Sequence, residues 1–137
     1  MVERPAGRWP FSSSSRCAVI AHGEIHPTSR ADDLDTLEEI ETVASALREL
    51  GWDPRPVPFT LDVTSFVAAV RALDPAFVFN LVESVAGSGR LLHLATAVCE
   101  HLGIPYTGAP TAAMLLTTSK LEAKRVLRLA GLPTAGW

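Results

Sequence analysis

The chain has 137 residues, 47% apolar and 20% charged, with a formal net charge of −3, which fits one compact globular domain. Its charges form no basic cluster, so nucleic acid is not an expected partner. Its longest apolar runs, Phe77-Val78-Phe79 and Ala112 to Leu116, fall far short of the roughly 20 residues that a membrane-crossing helix needs.

The stretch 1–16 carries Arg4 and Arg8, is interrupted by Pro5 and Pro10, and lacks the apolar run of a signal peptide. It reads as a disordered extension of a cytoplasmic protein. Cys17-Ala18-Val19-Ile20-Ala21 is the first expected strand, opening into a loop from His22 to Asp33. A helix follows, with Leu37, Ile40, Ala44 and Leu47 on one face, Asp35 and Glu38 as a capping box, and Gly51 as the carboxyl cap. Asp53 to Val57 is a short strand whose prolines, Pro54 and Pro56, suit an edge. A second helix places Val63, Phe66, Val67, Val70 and Leu73 on its buried side and stops before Pro75.

Ala76 to Val82 is apolar almost throughout, which predicts a strand covered on both faces, as in the middle of a parallel sheet. Beyond Gly87-Ser88-Gly89 a helix spans Leu91 to Leu102 and ends at Gly103, and Ile104 to Thr107 reads as a fourth strand. Two helices close the chain, Ala109 to Leu116 and Ser119 to Ala130. The alternation predicts an α/β fold: a Rossmann-like layered domain over 17–108, with a mostly parallel four-stranded sheet flanked by helices, then a short helical link over 109–137.

In open parallel sheets ligands bind beyond the carboxyl ends of the strands, which selects three loops. The first holds His22, Glu24 and His26, then Asp32, Asp33 and Asp35, any of whose carboxylates could hold a substrate ammonium or simply serve the helix start. The second holds Asn80 and Glu83, polar groups ending a strand that otherwise reads as buried, so they need partners or a wet cleft. The third begins at Tyr106. Asn80 and Glu83 are expected to face the same cleft as His22 and Glu24. Cys17 and Cys99 read as buried free thiols, and no histidine and cysteine pair has metal-ligand spacing. Lys120 follows Ser119, which with Glu122 forms a Ser-x-x-Glu box; a cation at the positive end of a helix is unfavourable unless an anion such as phosphate joins it.

Asn80-Leu81-Val82-Glu83, then Leu102-Gly103-Ile104-Pro105-Tyr106-Thr107-Gly108, then Thr118-Ser119-Lys120 with Lys124, then Ala130-Gly131-Leu132-Pro133-Thr134, resemble the order of motifs in D-alanine:D-alanine ligases and their ATP-grasp relatives. The resemblance covers about Cys17 to Trp137. It implies a substrate-binding domain ahead of an ATP-grasp domain that would begin near the end of this chain, and an enzyme that joins a carboxylate to an amine through an acyl phosphate in peptidoglycan precursor synthesis. It implies ATP and Mg²⁺ in the intact enzyme, neither bound by this chain alone, which is then expected to be inactive. Lys120 matches the family lysine that contacts the nucleotide phosphates. The substrate-binding set, drawn from the loops at the strand ends, is His22, Glu24, Asp32, Asp35, Asn80, Glu83 and Tyr106; the resemblance implies an amino acid or small carboxylate as substrate, and the family often forms homodimers. Two motifs differ: the ligases carry a glycine-rich turn and a Ser-x-Glu after strand one, where this chain has a longer region from His22-Gly23-Glu24 to Asp35 with only Asp32, Asp33 or Asp35 near the expected place, and a histidine-glycine pair after strand three, where this chain has Asn80-Leu81-Val82-Glu83. The other class open to the sequence is a non-catalytic, stand-alone α/β module that binds a small molecule.

Overall fold

The computed structural model describes residues 15–25 and 31–136, with the backbone alone for 31–34. Its elements are β1 (Cys17–His22), α1 (Ala31–Glu49), β2 (Asp53–Pro58), α2 (Val63–Leu73), β3 (Phe77–Leu81), a single 3₁₀ turn (Gly89–Leu91), α3 (His93–Leu102), α4 (Thr111–Thr117) and α5 (Lys120–Leu129). The strands form one parallel sheet in the order β2-β1-β3.

The sheet has three strands, where a fourth was expected at Ile104 to Thr107. That segment makes one parallel bridge, Val78 to Tyr106: Val78 N–H donates to the Pro105 carbonyl at 2.8 Å, and Thr107 N–H donates to the Val78 carbonyl at 3.0 Å. One step further along β3, Asn80 N–H is taken at 3.0 Å by the Thr107 hydroxyl. A side chain thus occupies the donor that a continuing ladder would give to a main-chain carbonyl, and the pairing stops. The centre of the sheet is also not where the apolar run at residues 76–82 placed it. β1 is the central strand, with Ala18, Val19 and Ile20 fully buried, while Phe77, Phe79 and Leu81 of β3 are only partly covered.

Alternation along β1 divides the core in two. Ala18 and Ile20 face α1, where Ile40, Ala44 and Leu47 complete a cluster that includes Trp52 edge-on to Phe77 with ring centroids 5.0 Å apart. Val19 and Ala21 face α2 and α3, where Phe66, Val70, Ala95 and Cys99 close over them and Phe59 meets Phe66 edge-on at 4.9 Å. Helices on both faces of a parallel sheet make the layered α/β arrangement expected from the sequence. Burial pushes the Cys99 thiol up to about 12, so it behaves as an apolar core group.

β2 takes the edge that its prolines suggested. Asp53 N–H donates to the Arg16 carbonyl at 2.7 Å and Phe59 N–H to the His22 carbonyl at 2.8 Å, so the odd-numbered amides point at β1. The even-numbered positions face outward, and they are Pro54, Pro56 and Pro58.

α1 begins at Ala31, not after Asp35. The expected cap residue is therefore inside the helix, and nothing between Ala31 and Asp35 has the ring or the missing side chain that would delay helix formation. At the other end Gly51 adopts the left-handed conformation (φ 79°), with Gly51 N–H donating to the Arg48 carbonyl at 2.9 Å and Trp52 N–H to the Leu47 carbonyl at 2.9 Å. These are the paired bonds of a Schellman terminus, for which glycine is suited. α2 is capped at its start by Asp62, whose carboxylate accepts Ser65 N–H at 3.1 Å, and at its end by Asp74 just before Pro75.

Candidate functional site

β1 and β3 run parallel and in register, with His22 opposite Leu81, so the loops that leave them emerge at the same end of the sheet. The two loops abut: a side-chain carbon on Gly23 would lie 3.5 Å from the Ser84 carbonyl oxygen. The second loop is shaped by a small hairpin in which Val85 bridges Ser88 around Ala86 and Gly87, both at positive φ (49° and 73°), as a tight two-residue hairpin turn requires. Val85 is buried and pins the hairpin to the core beneath α3.

His22 is 8% exposed, and its Nδ1 lies 2.7 Å from the Gly23 carbonyl oxygen. A carbonyl only accepts, so Nδ1 carries the proton and Nε2 is left as an acceptor in the neutral ring. Burial moves the histidine pKa below its ordinary value, against the opposing effect of the Gly23 hydrogen bond, so the neutral ring is the form present at pH 7. Glu24 follows on the surface, and Glu83 is exposed at the same end of the sheet. The structure therefore brings His22, Glu24 and Glu83 to one rim.

Asn80 is placed differently from the shared cleft expected for it. In β1 His22 follows Ala18 and Ile20 toward the α1 face, whereas in β3 Asn80 follows Val78 toward α2 and α3. Its side-chain oxygen accepts Val82 N–H at 3.2 Å, so this amide shapes the turn out of β3. Tyr106 is engaged elsewhere: its hydroxyl donates to Glu100 Oε1 of α3 at 2.5 Å. Burial and then the Glu100 carboxylate push the phenol up to about 12, and the Tyr106 hydrogen bond followed by that from Thr111 N–H holds the Glu100 carboxyl below its ordinary range.

Asp35 is exposed on α1 and borders a groove of about 560 Å³ with Glu38, Glu39, Thr42, Val43, Phe79 and Leu81, on the same sheet face as His22. Asp32 and Asp33 belong to the first turn of α1, but their side chains, and all of His26, lie outside the described residues. Lys120 is the first residue of α5, as its position after Ser119 predicts; Ser119 Oγ accepts Glu122 N–H at 3.4 Å. The reciprocal half of the box is replaced by a Glu122 Oε1 contact with Arg125 at 2.8 Å. The Lys120 side chain is exposed and has no hydrogen bond or ion pair with the described residues. Lys124, one turn on, reaches the Ala135 and Gly136 carbonyls at 3.1 and 2.9 Å. Among the described residues no group of three histidine, cysteine, aspartate or glutamate side chains could hold a metal ion.

Sequence reasoning missed Glu100. A signal was present, because an acid in the last turn of a helix opposes the helix dipole and calls for a compensating partner.

No protein-family model matches the chain. Curated relatives do. A D-alanine--D-alanine ligase of Gluconobacter oxydans is 33% identical over 95 residues, covering 69% of this chain and 30% of the relative. Its counterpart in Moorella thermoacetica is 33% identical over 99 residues (72% and 30%), and that of Granulibacter bethesdensis is 30% identical over 122 residues (89% and 37%). The chain thus spans about a third of the length of these relatives.

Proposed function

We infer, because the chain belongs to the D-alanine--D-alanine ligase family, that it provides the substrate-binding part of an ATP-dependent carboxylate-amine ligase. In this reading a carboxylate oxygen of the first substrate attacks the terminal phosphorus of ATP, ADP leaves, and an acyl phosphate remains. The amine of the second substrate then attacks the acyl carbon and phosphate leaves. The product is a peptide or peptide-like amide, and peptidoglycan precursor synthesis is the setting that the motif resemblance implies.

The work assigned to this chain is binding and orientation. The Glu83 and Glu24 carboxylates attract the ammonium of an amino acid at the rim, and neutral His22 offers Nε2 as an acceptor for one of its N–H groups. Lys120 meets nucleotide phosphate at the amino end of α5, where a negative group relieves the unfavourable placement of a cation. ATP supplies the activating phosphoryl group when bound.

The observation that carries the reading is Lys120, capped into place at the first position of α5 with its ammonium uncommitted among the described residues. In the full-length ligase, titrating ATP against wild type and Lys120→Ala should show a loss of about 1.5 to 3 kcal/mol, roughly ten- to a hundredfold in affinity. The fold should be unaffected, since an exposed cation contributes little to stability. Equal affinities would make Lys120 an ordinary surface lysine and remove the phosphate assignment.

A further inference from the structure

α4 and α5 have no buried side chain, and Leu115, Leu121, Val126, Leu127 and Leu129 are exposed on them. Apolar burial therefore does little to fix where these helices point. α4 also starts without help from its own sequence: its cap residue is Pro110, which has no side-chain hydrogen bond to give. What meets the first amide of α4 comes from another helix. Glu100 Oε1, on α3, accepts Thr111 N–H at 2.9 Å and the Tyr106 hydroxyl at 2.5 Å. Beside it the Thr111 hydroxyl donates to Thr96 Oγ1 at 2.9 Å, and the Thr96 hydroxyl donates to the His93 carbonyl at 2.9 Å.

We propose that Glu100 is a positioning residue: from α3 it caps α4, clasps it to the sheet through Tyr106, and so sets the orientation of α5 and of Lys120 relative to the strand ends. One carboxylate oxygen joins three segments. Tyr106 is itself anchored by the main-chain bonds on either side of it that tie Pro105 and Thr107 to Val78 of β3. α4 contacts α3 on one side and α5 on the other, so a rotation at the Glu100 junction is carried along the short link. The lowered carboxyl pKa of Glu100 agrees with an ionised acceptor in this position. The importance of the orientation of Lys120 rests on the ligase reading above, but the clasp does not.

The test uses the 137-residue protein without nucleotide, so its failure is separate from a failure of the ATP titration. Backbone N–H residual dipolar couplings report the direction of each helix. In wild type one alignment tensor should fit the sheet, α1 to α3, α4 and α5 together. In Glu100→Ala the couplings of α4 and α5 should shrink or depart from that tensor while those of β1 and α3 stay, and amide exchange in α4 should rise roughly two- to thirtyfold, the range spanned by loss of a helix cap. Glu100→Gln, whose amide oxygen still accepts Thr111 N–H, should recover part of both effects. A Glu100→Ala protein in which α4 and α5 still fit the common tensor would overturn the proposal, as would exchange that rises equally in β1 and α4, which would mark Glu100 as a contributor to global stability only.

Discussion

Five of the six residues of β1 are buried, whereas α4 and α5 together bury none. The sheet is held by shape: aromatic and branched side chains from both helix layers meet over β1, and no element could shift without opening a void. The terminal helices are held by a few directional polar contacts and keep apolar side chains in water, with Leu129 89% exposed. The two parts therefore answer to different forces. Changes in the layered part should be read in stability, and changes in the terminal helices in orientation and in binding.

The strongest way to sharpen this contrast is to hollow the layered part. Phe59 is fully buried against Phe66, and Phe59→Ala should cost about 3 to 5 kcal/mol in urea unfolding. A loss below about 1 kcal/mol would show that this face of the sheet is loosely filled. Gly51→Ala probes the boundary between α1 and β2. The left-handed backbone there disfavours any Cβ even though the nearest atom, the flexible Arg16 guanidinium, is an unstrained 3.6 Å away, so a destabilisation of about 1 to 2 kcal/mol is expected from backbone strain alone.

A subtler test uses pH. Burial lowers the His22 pKa in the folded chain, so the unfolded chain takes up the proton first as pH falls. The stabilising contribution is complete above the unfolded value of about 6.5 and is lost as pH drops through the lower folded value. Urea midpoints measured from pH 7.5 to 5 should fall less steeply for His22→Asn than for wild type; parallel curves would mean that His22 is hydrated in the folded state. The smallest effect belongs to the terminal helices. Leu129→Gln should change stability by no more than about 0.5 kcal/mol, and a larger loss would break the contrast by revealing packing around α5.

The layered architecture was legible because local signals and tertiary packing agree in it. The apolar face of α2 and that of α1 from Ile40 to Leu47, the glycine at residue 51 and the outward prolines of β2 each follow from one residue's own chemistry or from a short period, while Leu37, expected on the α1 face, is exposed. Most of what failed depended on partners far along the chain. Phe77 to Phe79 carries the apolar run of a central strand, but the order of strands decides centrality, and β1 takes that place. Ile104 to Thr107 has strand-like residues, yet the Thr107 hydroxyl ends the ladder after one bridge. Asp35 resembled a cap because its spacing to Glu38 is right, while the helix had already begun at Ala31. The place of Lys120 at the start of α5 was legible from its cap, whereas the engagement of Tyr106 by Glu100 spans a helix terminus and a turn that sequence spacing does not bring together.

The three prolines of β2 also determine how this protein can meet another chain. From Asp53 to Phe59 the outer margin of the sheet offers carbonyl oxygens and not one N–H, so an incoming extended peptide would find acceptors with no donors to alternate with them. Strand addition is therefore barred on that side, whatever the concentration. The opposite margin, along β3, is already partly occupied by residues 105–107. Sheet-to-sheet polymerisation, the usual hazard of an open parallel sheet, has no free starting edge at β2, and association along that margin must proceed through side-chain surfaces instead.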